Sequence, residues 1–190
     1  MSKSLEDIFA DVIDRQQADQ GGLPPVADWD PPKSGDIDIR IARDGTWYHE
    51  GKPIHRDSLV RLFSSILKRE GDDYFLVTPV EKWQIQVDDV PFHMRHLDVL
   101  NRNGNQALVF EAATGDRVTA GPANPIRVRI DPETGEPSPY IRVRDGMEGL
   151  IARNVFYELA EIAERDSPPG TDKEKAVHGV YSLGEFFPLE

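Results

Sequence analysis

IDIRIARDGTWYHEGKPI, residues 37–54, is the stretch that decides the fold. Isoleucine stands at every second position from Ile37 to Ile41, and Asp44-Gly45 provides a tight-turn signal before two aromatic residues. Apolar alternation with period two predicts a half-buried strand, and the turn returns the chain as its partner. The stretch therefore predicts a β-hairpin. An amphipathic helix over 56–68 and an apolar strand over 74–78 are predicted next.

The same order of patterns returns about ninety residues later, in IRVRIDPETGEPSPYIRV, residues 126–143. A helix predicted over 147–165 and a strand over 177–183 follow this second hairpin. Because strand and helix periodicities are independent signals, their recurrence in one order indicates an internal repeat. We predict two similar halves, each with a β-hairpin, a packed helix and a strand.

The segments outside these halves complete an α+β prediction. Alternating stretches separated by turn residues predict an antiparallel meander that joins the halves. An apolar stripe beginning at Leu5 predicts an N-terminal helix that ends near Gly21-Gly22 and packs on its own domain, or else forms a partner contact. Four prolines make 23–36 an extended strap, and 166–175 is predicted to be an exposed loop. The predicted divisions are 1–36 (helix and strap), 37–100 (first half) and 101–190 (meander and second half).

Composition narrows the classes of protein. A hydrophobic content of 38% with 29% charged residues is typical of a globular chain. With 34 acidic and 22 basic residues the net charge is −12, which disfavours binding to nucleic acid or to an anionic membrane surface. The absence of cysteine excludes disulfides, thiol catalysis and thiolate metal sites. No stretch resembles a membrane span or a signal peptide, so we expect a cytoplasmic protein.

Several longer motifs resemble a known bacterial family. They are Gly45–Gly51, Leu76–Lys82 with Asp89–Phe92, Gly121-Pro122, and the ending Ser182–Leu189. In these motifs, and in their order along the chain, the sequence is similar to the uncharacterised proteobacterial family DUF1285. The resemblance implies a fold of repeated structural motifs and a suggested role in signal transduction. It supplies no catalytic residue.

Four arginines are the main candidates for a binding site. Arg127 and Arg129 alternate with apolar residues on one predicted strand, and Arg142 and Arg144 do so on the returning strand. Hairpin pairing predicts that all four guanidinium groups lie on one sheet face, where they could bind phosphate or carboxylate bidentately. The alternative is an outer face that neighbouring acids neutralise.

Three residues of the motif after the strand at 74–78 are further candidates. Thr78, Glu81 and Lys82 are predicted to line a cleft between the halves. In the alternative, Pro79 only turns the chain and Glu81-Lys82 form a solvated corner. His93 and His96 should diverge on a strand, so no metal site is predicted there.

The predicted function is a non-enzymatic sensory module that binds a small anion without a cofactor, and whose liganded state a protein partner reads. The alternative is a protein–protein adaptor or homodimer scaffold that uses exposed sheet edges. A third class is an unrecognised hydrolase or isomerase built on His49, Glu50, Glu81 or Lys82. The sequence leaves the ligand, the partner and the oligomeric state open.

Overall fold

The computed structural model describes residues 5–10, 22–166 and 176–190. The chain divides into two compact units: unit 1 comprises residues 1–42 and 46–88, and unit 2 comprises residues 43–45 and 89–190. The main division therefore falls at 88/89, earlier in the chain than the 100/101 boundary expected from the sequence. Among the described residues no helix is long and apolar enough to cross a membrane.

The N-terminal segment differs from the prediction. Only one turn of the expected N-terminal helix is shown, α1 (Leu5–Ile8), and residues 11–21 lie outside the described part of the chain. The proline-rich strap contains a 3-10 turn over Val26–Asp28. Phe9, directly after α1, is fully buried and contacts the ring of Phe63 edge-on at 5.0 Å, which anchors this segment to unit 1.

Unit 1 is built on a six-stranded sheet. Its strands are β1 (Gly35–Ile41), β2 (Trp47–His49), β3 (Lys52–Pro53), β4 (Leu67–Glu70), β5 (Asp73–Val77) and β6 (Lys82–Val87). The spatial order is β3-β2-β1-β6-β5-β4, and only the central pair, β1 with β6, is parallel. Helix α2 (Asp57–Ser65) connects the first three strands to the last three.

The predicted helix over 56–68 is shorter in the structure because Leu67 already belongs to β4. The amide of Val77 donates to the carbonyl oxygen of Ile66, which places the end of the helix beside β5. Ile66 and Leu67 are buried, and a short apolar run of this kind fits a helix and a strand equally well.

Unit 2 contains a second six-stranded sheet. Its strands are β7 (Phe92–Arg102), β8 (Asn105–Ala112), β9 (Arg117–Thr119), β10 (Ile126–Ile130), β11 (Pro137–Arg144) and β12 (Met147–Ile151). The order is β10-β11-β12-β7-β8-β9, and again only the central pair, β12 with β7, is parallel. Helix α3 (Arg153–Glu161) follows β12.

A smaller sheet ends the chain, formed by β13 (Glu164–Asp166), β14 (Val177–Ser182) and β15 (Glu185–Pro188). The exposed loop predicted over 166–175 is described only at Asp166, which ends β13; residues 167–175 lie outside the described part. Ser182 is fully buried, and its hydroxyl donates to the carbonyl oxygen of Ala120 at 2.7 Å. This bond ties the small sheet to the segment after β9.

The two larger sheets share one topology. Each consists of two three-stranded meanders, joined by parallel pairing of the first strand with the sixth. The prediction of two similar halves is therefore confirmed at the level of the sheets, but the correspondence differs. The meander that we assigned to a connection is the first half of the second sheet, so β1–β3 correspond in order to β7–β9, and β4–β6 to β10–β12.

The predicted helix over 147–165 is wrong at both ends. Residues Met147–Ile151 form β12, which pairs with β11 on one side and β7 on the other, and Glu164–Asp166 form β13. A central strand is covered on both faces and reads as a nearly continuous apolar run, which resembles the start of a buried helix. The fold is consequently mostly β, with two helices of nine residues among its described elements.

Candidate functional site

Three of the four candidate arginines lie on one face of the unit 2 sheet. Arg127 pairs with Tyr140 and Arg129 with Ser138 across β10 and β11, while Arg142 pairs with Glu148 of β12. Between Arg142 and Arg144 the register shifts, so that Arg144 pairs with Met147 instead. Because a one-residue shift moves a side chain to the opposite face, this bulge separates Arg144 from the other three.

Two of the four arginines are held by acids. Arg127 forms a bidentate pair with Glu148, with its Nε 2.7 Å from Oε1, and this hydrogen bond is the main cause of its raised pKa. The Nε of Arg144 lies 3.3 Å from the Oδ1 of Asp116, and both side chains are largely buried. The alternative of neutralisation by acids therefore applies to these two residues.

Arg129 and Arg142 are different. Both are exposed, and within the described residues neither forms an ion pair with a carboxylate within 4.0 Å. The guanidinium of Arg129 lies 5.6 Å above the ring of Tyr140, and that of Arg127 lies 4.4 Å above the same ring. Arg129 and Arg127 thus share one aromatic platform, a favourable arrangement for cations.

Tyr140 is fixed from below by a polar network. Its side chain is fully buried, and its hydroxyl donates to Oδ2 of Asp89 at 2.9 Å. Burial, followed by this hydrogen bond, raises the pKa of Tyr140, which keeps the phenol protonated as a donor. The Nε of Arg43 lies 3.5 Å from the same oxygen, and its Nη2 donates to Oγ of Ser138 at 2.8 Å. The platform under Arg129 is therefore rigidly held.

A cleft of about 820 Å³ opens beside this platform, at the end of the sheet where β11 begins, β12 ends and α3 begins. Its polar lining residues are Arg43, Asp44, His93, Arg129, Asp131, Glu136, Ser138 and Arg153. Its apolar lining residues are Ile130, Pro132, Pro137, Pro139, Leu150, Ile151, Ala152, Phe156 and Tyr157. Of the four candidate arginines, Arg129 alone lines the cleft.

The other cleft charges have partners. Asp131 accepts the amide hydrogens of Glu133 at 2.8 Å and Thr134 at 2.9 Å, and the hydrogen bond from Thr134 is the main cause of its lowered pKa. Arg153 lies 3.9 Å from Glu136, and both are exposed. Arg43 contacts Asp89 and donates a hydrogen bond to Ser138. Among the described residues, Arg129 is therefore the cleft arginine that has no carboxylate within 4.0 Å.

His93 lies half-buried in the cleft wall. The Nε of Arg95 donates to its Nδ1 at 3.4 Å, so the neutral ring carries its proton on Nε2. Burial lowers the pKa of His93, and the charge of Arg95 lowers it further, while Asp44 opposes both effects. A Cβ atom at Gly45 would stand 2.6 Å from the Cβ of His93, so glycine lets the backbone of the turn pack against the ring.

Asp98 stands two residues after His96 on β7. Asp98 is held by Arg117, whose Nη2 lies 2.6 Å from its Oδ2. The described residues contain no group of three or more side chains suited to bind a metal ion.

In unit 1, two of the cleft candidates serve local structure. The Oγ1 of the buried Thr78 accepts the amide hydrogen of Glu81 at 3.0 Å, which closes the turn before β6. The Nζ of Lys82 lies 3.0 Å from Glu70 and 5.3 Å from the ring centre of Phe75. These contacts match the solvated-corner alternative only in part, because the side chain of Lys82 is 12% exposed.

Glu81 lines a second cleft of about 620 Å³ that lies within unit 1. The cleft also brings together His49 and Glu50, two candidates of the hydrolase class, with other side chains: Ile8, Ser34, Asp36, Ile37, Asp38 and Trp83. In the described part of the chain no hydrogen bond joins His49 to any of these acids, and Glu81 instead accepts from the indole of Trp83 at 3.4 Å. A general acid–base pair requires a closer arrangement.

Sequence reasoning missed the unit 2 cleft. Its apolar wall comes from the turn between β10 and β11, with Pro132 and Pro137, and from Phe156 and Tyr157 on α3. The prolines indicate only a turn, and the aromatic pair fits the pattern of a core-facing helix. The predicted helix start at Met147 also hid the true start of α3 at Arg153, which places its first turn in the cleft.

Comparisons with known proteins agree with the two-unit division. Family models described as the N-terminal domain and the C-terminal domain of DUF1285, a family of unknown function, match residues 24–90 and 91–189. The crystal structure of a DUF1285 family protein from Silicibacter pomeroyi DSS-3 is 48% identical with a TM-score of 0.80, covering 94% of this chain and 93% of that one.

A second crystal structure, of a DUF1285 family protein from Shewanella baltica OS155, is similar in fold. It is 24% identical with a TM-score of 0.51, and the match covers 65% of this chain and 90% of that one. No curated protein matches the chain.

Proposed function

The chain belongs to the DUF1285 family, and we propose that it is a binding module that takes a small molecule with one anionic group into the unit 2 cleft. The observation that carries this proposal is the position of Arg129. It lines a cleft of about 820 Å³, on the Tyr140 platform, with no carboxylate within 4.0 Å among the described residues. An anionic ligand would supply a direct partner for its guanidinium group.

The chemistry of the guanidinium supports an oxyanion as the bound group. Its planar fork of N–H donors matches carboxylate and phosphate bidentately. Stacking on Tyr140 limits its motion, so less conformational entropy is lost when the ligand binds. The cleft volume lies within the range of small-molecule sites.

We propose binding without catalysis, because the polar groups of the cleft form hydrogen bonds with other residues. The hydroxyl of Ser138 accepts from Arg43, and the Nδ1 of His93 accepts from Arg95, so within the described residues these two form no nucleophile–base pair. In this proposal the liganded state acts as a signal that a protein partner reads.

The test is thermal unfolding against inorganic phosphate, nucleotides, phosphorylated metabolites and carboxylates, with Arg129→Gln and Arg142→Gln beside the wild type. A ligand at a hundred times its dissociation constant adds about 2.7 kcal/mol to the free energy of unfolding. Arg142 is the matched control, since it is exposed on the same sheet face but does not line the cleft.

We expect at least one compound to raise the midpoint in the wild type and in Arg142→Gln but not in Arg129→Gln. A shift that survives Arg129→Gln would place the anion elsewhere. If no compound shifts the midpoint, the binding proposal fails.

The second candidate is a homodimer or adaptor, and it is favoured by the open edge of β7. β12 pairs with β7 only at Phe92–Met94, so in the described part of the chain the stretch 96–102 has no strand on that side. Val99 and Leu100 are 50% and 42% exposed there. An unpaired edge with apolar side chains is suited to strand addition.

Light scattering tests this candidate. A mass that rises with concentration in the wild type and in Val80→Lys, but not in Val99→Lys, would support it; Val80 is the exposed apolar control in unit 1. A monomeric mass at all concentrations would remove it.

A further inference from the structure

Two exposed apolar side chains line the unit 2 cleft. Tyr157 is 58% exposed and Ile130 is 46% exposed, although both are bulky. Isolated apolar residues are common on protein surfaces, but apolar side chains that converge on one concave site are typical of ligand pockets. The cleft therefore offers uncovered apolar surface as well as a cation.

One face of helix α3 contributes to this apolar surface. Arg153, Phe156 and Tyr157 are spaced i, i+3 and i+4, which places them on one helix face, and all three line the cleft. Phe156 and Tyr157 thus present two aromatic rings to the cleft, at the same end of the sheet as Arg129. Alanine has a higher helix propensity than phenylalanine or tyrosine, so helix propensity does not account for the aromatic residues at 156 and 157.

The size of the cleft is also more than a bare anion needs. An inorganic phosphate or acetate ion fills a small part of about 820 Å³ and leaves the apolar wall in contact with water. A ligand that carries an apolar ring beside its anionic group covers that wall, and offset or edge-on packing between aromatic rings adds to the area term.

We propose that the ligand of the unit 2 cleft is an aromatic molecule with one anionic group, with its carboxylate or phosphate on Arg129 and its ring against Tyr157 and Ile130. This inference rests on the proposed function of the cleft and specifies the class of its ligand. Tyr157 is then a residue that determines specificity, while Arg129 sets the requirement for charge.

Calorimetric titration of the full chain with matched probes tests the inference. The pairs are phenyl phosphate with inorganic phosphate and benzoate with acetate, and phenol is the uncharged ring. We expect at least one aromatic anion to bind about tenfold more tightly than its small partner and than phenol. The pair that shows this difference identifies the acid.

Tyr157→Ala should remove most of that tenfold advantage and leave the affinity for the small anion unchanged. Alanine is compatible with the helix, so the variant is expected to fold. Val99→Ala is the control, because Val99 is similarly exposed outside the cleft. Arg129→Gln should weaken every anion and leave phenol unaffected.

The possible failures are distinguishable. Small anions that bind through Arg129 with no gain from the ring would overturn the aromatic inference and keep the proposed function. An aromatic advantage that persists in Tyr157→Ala would likewise overturn it. Phenol binding as tightly as the aromatic anions would overturn the requirement for charge, and with it the proposed function. If no probe binds, both proposals fail.

Discussion

Units 1 and 2 have the same six-strand topology, but their helices occupy different places in it. In unit 1, α2 connects the third strand to the fourth; in unit 2, α3 follows the sixth strand. The connection between β9 and β10 has no helix and contains only the short bridge between Gly121 and Asn124. Because α3 starts where β12 ends, its first turns border the cleft. The comparison teaches that the placement of the helix decides where a cleft forms beside the same sheet.

The clefts of the two units also differ in charge. Among its described lining residues the unit 1 cleft has the acids Asp36, Asp38, Glu50 and Glu81 and no lysine or arginine. The described lining of the unit 2 cleft has three arginines and three acids, and most of these are paired with one another or with neighbours. The shared topology therefore fixes the strands and not the electrostatics of the sites.

The largest expected loss of stability comes from truncating a buried side chain in each unit, on strands that correspond in the two sheets. Ile141 on β11 and Leu76 on β5 are both fully buried, and each stands on the middle strand of its second meander. Truncation of either to alanine should lower the free energy of unfolding by about 2–5 kcal/mol. Urea denaturation measures the loss, and amide exchange locates it.

For this pair, Ile141→Ala is expected to speed exchange in the strands of unit 2, and Leu76→Ala in those of unit 1. Identical exchange patterns for both variants would contradict two separate cores.

The next largest effect is a difference in stability between variants of Arg144 and Arg127, which the bulge on β11 places on opposite faces of the sheet. Arg144→Met leaves Asp116, whose side chain is 11% exposed, without its guanidinium, which should cost about 3 kcal/mol. Arg127→Met is the matched change at an arginine whose side chain is 50% exposed, and it should cost less than about 1 kcal/mol. Equal losses in urea denaturation would mean that the two ion pairs are equally important.

A smaller effect is expected at the parallel pair of unit 2. A Cβ at Gly149 would lie 2.5 Å from Sδ of Met94 and 3.2 Å from Cβ of Phe92, so Gly149→Ala requires the Met94 side chain to move and Phe92 to give way slightly. Overpacking of this kind costs about 1–3 kcal/mol, measured by thermal or urea unfolding. Gly22→Ala is the control, since no described residue lies within 4 Å of a Cβ at that position. Unchanged stability of Gly149→Ala would show that Met94 moves aside freely.

The smallest effect concerns the pH dependence of stability through His93. Its pKa is lowered from the value of 6.5 in the folded protein, chiefly by burial. The unfolded chain therefore binds the proton first, so this contribution to stability is present above about pH 6.5 and is lost as the pH falls through the lowered pKa. From pH 7.5 to 5.5, the wild type should lose more stability than His93→Gln.

Urea denaturation at several pH values measures that difference. His96→Gln is the comparison variant, because it removes another imidazole from the same strand outside the cleft. Parallel curves for the wild type and His93→Gln would contradict a buried neutral ring.

Most strands could be predicted from the sequence, because alternation, turn residues and burial agree there. The hairpin at Asp44-Gly45, the strand around Phe75 and the meander from Phe92 all occur near their expected positions. The start of α3 could not be predicted, since β12 is apolar at nearly every position and periodicity cannot distinguish a covered strand from a helix. Parallel pairing of distant strands leaves no local signal at all.

The site was predictable only as far as side-chain alternation holds. Alternation correctly places Arg127, Arg129 and Arg142 on one face, and the bulge before Arg144 has no signature in the sequence. Which arginine keeps its charge free depends on Glu148 and Asp116, and these acids come close only through strand pairing. The cleft depends on the true start of α3, so it could not be found before that start was known.

The parallel pair at the centre of each sheet also constrains how the chain folds. Gly35 pairs with Trp83 in unit 1 and Phe92 with Gly149 in unit 2, so the two pairs close loops of about fifty and about sixty residues at an entropic cost. The two meanders of a unit can form from local contacts, whereas the central pair requires both meanders first. Because pairing between distant strands is slow to form, we expect this closure to be the slow step in the folding of each unit, and in unit 2 it positions the end of β12 beside the cleft.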